Sequence, residues 1–139
     1  MSLSGHLEDG VHHLDIRVYF EDTDFSGIVY HANYLKFCER GRSDMLRLAG
    51  VHHSDLAGDG IHFVVRHMQC DFRASARIDD VVRVETRPKR ASGARLVLVQ
   101  AVKLAEKVLF EAEVTLALVN GAGRPQRIPP EMMRAMSQA

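Results

Sequence analysis

The segment Arg17-Val-Tyr-Phe-Glu-Asp-Thr-Asp-Phe-Ser-Gly-Ile-Val-Tyr-His-Ala-Asn-Tyr-Leu35 gathers the side chains best suited to chemistry: the carboxylates Asp22 and Asp24, then Gly27 and His31. Gly27 permits a tight turn or a close approach of backbone to a ligand. A helical period begins just downstream, so the amides around Tyr30, His31 and Ala32 fall at or just before a helix N-terminus. Amides there lack intrahelical acceptors and, with the helix dipole, favour a developing negative charge. A carboxylate facing such an oxyanion site is what hydrolysis of an ester or thioester needs. By itself an Asp-x-Asp before a helix is more often a turn or cap, and Asp22 is read that way.

The elements that must hold this loop follow from periodicity. Leu14, Ile16, Val18 and Phe20 alternate with Asp15, Arg17 and Tyr19, which predicts a half-buried strand over 12–20. From Asn33 to Ala49 the period becomes helical. Tyr34, Phe37, Cys38, Gly41, Met45 and Leu48 share one face, with Lys36, Glu39, Arg40, Arg42 and Arg47 elsewhere. Asn33 is the expected N-cap and Gly50 the expected C′ residue. Gly41, costly in mid-helix, implies that the backbone there packs closely on a sheet. Residues 61–75, 80–91, 94–105 and 107–119 read as strands, separated by turns at Asp79-Asp80, Ser92-Gly93 and Glu106-Lys107. Short links between successive strands predict an antiparallel sheet. Glu131 to Met136 reads as a short terminal helix. The result is an α+β domain over 1–139 whose uncovered sheet face and edges call for a homodimer or homotetramer.

Composition narrows the function classes. The chain has 139 residues, 46% of them apolar, and 18 basic side chains balance 18 acidic ones. Zero net charge argues against nucleic acid as partner, since phosphate binding draws on excess Lys and Arg. No apolar stretch approaches the length of a membrane span, and Met1 to Gly10 lacks the features of a secretory signal, so a cytoplasmic location is expected. Cys38 and Cys70 read as free thiols. His31 and Cys38 lie about 10 Å apart along a helix, too far for a Cys–His pair. No metal site is expected, since neighbouring histidines such as His12 and His13 cannot both aim at one ion and His62 and His67 would point to opposite faces of a strand.

The run from Tyr19 to Tyr34, Tyr-Phe-Glu-Asp-Thr-Asp-x-x-Gly-Ile-Val-Tyr-His-Ala-Asn-Tyr, resembles the signature of the hotdog-fold thioesterases. In pattern it is similar to the 4-hydroxybenzoyl-CoA thioesterase family and its branch associated with the Tol-Pal envelope system. A looser likeness continues through Phe63-Val-Val-Arg66 and Gly123-Arg-Pro-Gln-Arg-Ile-Pro129. The resemblance implies a hotdog fold, an antiparallel sheet of about five strands wrapped around one long central helix. It also implies an acyl-CoA thioesterase acting on short-chain aliphatic or aromatic acyl groups. Asp24 corresponds to the family's catalytic carboxylate, attacking the thioester carbonyl or activating a water. The His31 amide corresponds to the group that polarises the carbonyl, and its side chain matches the assisting histidine of the Tol-Pal branch. Tyr19 matches an aromatic position with a supporting role.

Gly27, Val29, Tyr30 and Tyr34 are the expected substrate contacts around the loop. Lys89, Arg90 and Ser92, in a turn, and Arg66 are candidates for the coenzyme A phosphates. No cofactor is implied, coenzyme A being part of the substrate. Direct attack by the carboxylate would give a mixed anhydride that water hydrolyses, and burial would instead favour the general-base route; the residues leave this open. An acyl-thioester-binding scaffold, or an acyl carrier protein thioesterase linked to envelope or phospholipid metabolism, is the alternative. A dehydratase of the same fold would place its His and carboxylate differently.

Overall fold

In the computed structural model, which describes residues 3–137, the chain runs as strand β1 (His6–Glu8), β2 (Val11–Arg17), a 3-10 turn (Phe20–Asp22), helix α1 (His31–Leu48), α2 (His53–Gly58), β3 (Ile61–Phe72), β4 (Val81–Ser92), β5 (Arg95–Leu104), β6 (Lys107–Asn120) and α3 (Pro130–Ser137). The six strands form one antiparallel sheet in the order β1-β2-β4-β5-β6-β3. The pairs β1–β2, β4–β5 and β5–β6 are consecutive in the chain, whereas β2–β4 and β6–β3 are not. The helix spans the inner face of the sheet, packing on β4, β2 and β5, and β3 then returns at the far edge to pair with β6.

The core lies between the helix and that inner face. In β6, Phe110, Ala112, Val114, Leu116 and Leu118 point inward, as the alternation requires, and meet Leu96 and Leu98 of β5 and Phe37 and Met45 of α1. Gly41 sits where the helix touches the sheet. A Cβ there would lie 2.8 Å from Val84 Cγ1 and 3.0 Å from Thr86 Oγ1, so only glycine allows the approach. The helix ends in a Schellman motif: Gly50 has φ 82°, Val51 N–H donates to Leu46 O (2.8 Å) and Gly50 N–H to Arg47 O (3.0 Å).

Several expected boundaries shift, each for a local reason. The sheet has six strands rather than about five. The additional one, β1, is too short to show alternation and is joined to β2 by Asp9-Gly10, both at positive φ as a tight hairpin turn requires. Strand β2 stops at Arg17, because Asp22 Oδ2 accepts the Tyr19 N–H (2.9 Å) and pulls the chain into the 3-10 turn. Helix α1 starts at His31, with Tyr30 as N-cap, so Asn33 is a first-turn residue. Leu48 is exposed, whereas Arg42 is buried and donates to Gln100 Oε1 (3.0 Å). Helix α2 was not foreseen. In β3 a bulge between Val65 and His67 leaves Arg66 unpaired. His62 and His67 pair with Val119 and Thr115, four residues apart on β6, and so share a face instead of opposing one another. They are still separated by about 13 Å.

Candidate active site

The loop between β2 and α1 is a small hairpin of its own. Thr23 bridges to Val29 and Ile28 to Arg77, and Val29 N–H donates to Ala76 O (2.9 Å). Asp24 N–H donates to Ile28 O (3.0 Å) and Gly27 N–H to Asp24 O (3.1 Å). Gly27 takes φ 77° with no atom within 4 Å of a would-be Cβ, so the glycine serves the turn itself. Ser26 N–H donates to Asp24 Oδ1 (2.8 Å), which orients the carboxylate.

The two aspartates have separate environments. Asp22 is buried, and its carboxylate accepts from Tyr19 N–H and from Asn33 Nδ2 (3.0 Å), while its carbonyl accepts the Tyr30 N–H (2.9 Å). It therefore ties the strand end to the helix start and is a cap. Asp24 is exposed and borders a cavity of about 310 Å³ lined by Asp24, Ile28, Val29, His31, Tyr34 and the strip Phe72 to Ser75. His31, the first residue of α1, is among the lining residues. Tyr30, the N-cap, makes no side-chain cap bond; the Asn33 N–H donates to Tyr30 O (2.8 Å), and the His31 and Ala32 amides have no acceptor within the helix.

One wall is aromatic. Tyr34 stacks on Phe110 (centroids 5.5 Å, 15°) and meets Phe72 edge-on (6.2 Å), and Phe72 also faces His31 (6.1 Å). The Tyr34 hydroxyl accepts the Ala76 N–H (2.9 Å), which holds the ring in place, and burial raises its pKa above the ordinary phenol value. Arg73, at the rim, is engaged by Glu111 (2.8 Å).

Of the expected site residues, Asp24, Val29, His31 and Tyr34 line one cavity, and Gly27 shapes the turn beside it. Tyr30 stands at the helix start with its ring against His31 (4.5 Å). Tyr19 is not brought to this cavity: it is exposed in a separate groove between β2 and α1, with Arg17, Glu39 and Arg40. Arg66 sits at the bulge of edge strand β3, and Lys89, Arg90 and Ser92 lie at the exposed end of β4. Lys89 pairs with Glu113 (3.2 Å). None of these four lines the cavity within one chain. Phe72, Ala74 and Ser75 were missed. They are brought to the loop by the pairing of β3 with β6 and carry no local motif. Both cysteines are free, and burial pushes the Cys38 thiol up to about 12, which rules it out as a nucleophile.

Residues 18–136 match the thioesterase-like superfamily. The chain belongs to that superfamily, and its reaction class is thioester hydrolysis. It is 38% identical over 125 residues to the acyl-CoA thioester hydrolase YbgC of Escherichia coli O6:H1, covering 88% of this chain and 93% of that one. A crystal structure of a probable thioesterase from Bartonella henselae superposes with TM-score 0.82 at 45% identity, covering 86% of this chain and 99% of that one. The fold alone is shared with a 1,4-dihydroxy-2-naphthoyl-CoA thioesterase from Synechocystis, with TM-score 0.84 at 22% identity over 91% of this chain and 96% of that one. The hotdog arrangement expected from the motif is therefore the observed one. Among the described residues, no helix is long and apolar enough to cross a membrane.

Proposed function

We propose that the protein is an acyl-CoA thioesterase in which Asp24 carries out hydrolysis and the first amides of α1 receive the developing oxyanion. The observation that carries this reading is that Asp24 and His31 line one cavity together with Tyr34 and Phe72. A thioester carbonyl placed between them would have a carboxylate on one side and unpaired N–H groups on the other, the arrangement needed to form and stabilise a tetrahedral intermediate. Attack by Asp24 Oδ2, the oxygen not held by Ser26, would expel the thiolate and leave an acyl-aspartyl anhydride, which water hydrolyses. A water activated by the same oxygen would give the same products. The His31 ring, which lines the same cavity, would assist proton transfer to the leaving thiolate.

A cavity of this size with aromatic walls suits a short aliphatic or aromatic acyl group. Coenzyme A would then extend outward, its phosphates reaching Arg66, Lys89, Arg90 and Ser92 of this or a neighbouring subunit. Strand β3 supports an oligomer: it is an edge strand of twelve residues with Val65 and Phe72 about half exposed, an edge that a second copy would cover. The reading calls for no cofactor, and a cytoplasmic enzyme supplied with acyl-CoA fits it. Thiol release from a panel of acyl-CoA and acyl carrier protein thioesters, with wild type and Asp24→Asn compared, tests the proposal. Turnover of acyl-CoA lost in the variant supports it. Turnover restricted to carrier-protein thioesters would replace the leaving thiol, and no turnover at all would leave a binding scaffold.

A further inference from the structure

The sheet pairing brings together a second set of ligands on the face turned away from α1. In β2, His12, Leu14 and Ile16 point to the core, which places His13 on the outer face. His6 of β1 is directly opposite His13, and Glu85 of β4 is directly opposite it on the other side. Glu8, two residues beyond His6, shares that face. The ligand atoms of His6, Glu8 and His13 lie within 4.8 Å of one another. His6 Nε2 is 3.6 Å from Glu8 Oε2, and the rings of His6 and His13 stack with centroids 5.0 Å apart.

A second observation concerns His13 itself. Its Nδ1 is buried without a hydrogen-bond partner, and the nearest charge to it is Glu85 Oε2 at 3.7 Å, too long for a hydrogen bond. A proton on Nδ1 directed at Glu85 would leave Nε2 as the free lone pair, which is how a carboxylate behind a metal-bound histidine sets the tautomer. Glu85 is held in place by Lys103 (3.0 Å).

We propose that His6, Glu8 and His13 form a binding site for a divalent transition metal, with Glu85 as the outer partner of His13, and that the ion clips β1 onto the sheet. Two imidazoles and a carboxylate suit Zn²⁺, Co²⁺ or Ni²⁺, with water completing the coordination. Ligand atoms about 2.1 Å from an ion stand about 3.4 Å from one another in a tetrahedral site, so the set must close by roughly an ångström. The side chains that must move, His6 and Glu8, are both more than half exposed, whereas His13 is held. The ion would also help a three-residue edge strand stay paired: β1 pairs with β2 at three positions and otherwise packs against α1.

Calorimetric titration of the untagged protein with Zn²⁺, and the visible spectrum with Co²⁺, test this without substrate, so the result is independent of hydrolysis at Asp24. One ion per chain, a raised Tm and tetrahedral Co²⁺ absorption are expected. Affinity should fall at least tenfold in His6→Gln and in Glu8→Gln, and stay unchanged in His62→Gln. Circular dichroism of the two exposed-site variants checks that the sheet is intact. Uptake unaffected by both substitutions, or no uptake at micromolar protein, would overturn the proposal.

Discussion

The middle and the start of helix α1 treat their polar groups in opposite ways. At the middle, Gln100 reaches up from β5 with both its donors and its acceptor engaged: its Nε2 donates to Cys38 O (2.9 Å) and Thr86 Oγ1 (2.8 Å), and its Oε1 accepts from Arg42. Gly41 lies against this network with no room for a side chain. At the start, Tyr30 offers no side-chain cap, the His31 and Ala32 amides have no acceptor within the helix, and Asp24 is exposed with one oxygen held. Buried polar groups stabilise only when fully paired. A group left unpaired beside a cavity is available to a ligand instead. One helix thus serves as anchor in its middle and, in the proposed mechanism, as reagent at its end.

The contrast is sharpest at Asp24 and should break there first. Asp24→Asn is expected to lower kcat by about 10²–10⁴-fold, while the denaturation midpoint moves within about 0.5 kcal/mol, as for an exposed side chain. Asp22→Ala should do the reverse on stability: it removes the acceptor of the Tyr19 amide and of the buried Asn33 side chain, costing about 1–3 kcal/mol in urea unfolding. Equal stability loss in the two variants would erase the distinction drawn between the aspartates. In the anchor, Gly41→Ala should destabilise by about 1–3 kcal/mol, because Val84 and Thr86 must give way to the methyl group. Urea midpoints unchanged from wild type would show that the helix can lift off the sheet at little cost.

A smaller effect is expected at the cavity wall. Phe72→Ala should raise KM for the preferred acyl-CoA by about tenfold, with kcat little changed, since the ring supplies apolar contact and no reacting group. A fall in kcat alone would place Phe72 in the chemistry. The smallest effect is a pH dependence. His12 is fully buried, with Nε2 against Ser4 O (2.7 Å), and burial lowers its pKa from the usual 6.5. His13 shifts the same way for the same cause. A histidine whose folded pKa is depressed stabilises the fold above its unfolded pKa, and that contribution declines as pH falls below about 6.5 toward the folded value. Tm measured from pH 8 to 5 should therefore drop on the acid side, and His12→Gln should flatten the slope; an unchanged slope would assign the acid sensitivity elsewhere.

Much of this was legible in the chain because it depends on near neighbours. The Schellman stop at Gly50, the alternation of β6 and the turn at Gly27 each need only a few consecutive residues. The reading erred where a distant residue intervened. Asn33 looks like an N-cap until Asp22, eleven residues back, claims its side chain and the helix starts two residues earlier. Arg42 looks like a solvent residue until Gln100, 58 residues on, gives it a buried acceptor. The bulge at Arg66 inverted the expected facing of His62 and His67, and bulges have no reliable local signature.

By itself the sequence determined the type of each main element, the loop that carries Asp24 and His31, and the family to which the chain belongs. These are written in residue type and short spacing, where backbone geometry and hydrophobic period act directly. Only the tertiary structure decided what completes the site. Strand β3 leaves α1 and crosses to the far edge, and its pairing with β6 carries Phe72 to the cavity that Asp24 and His31 open. Pairing of β1 and β4 with β2 likewise sets His6 and Glu85 on either side of His13. Strand partners are chosen by burial of whole faces over the entire sheet, so no local run of residues can state which side chains will meet.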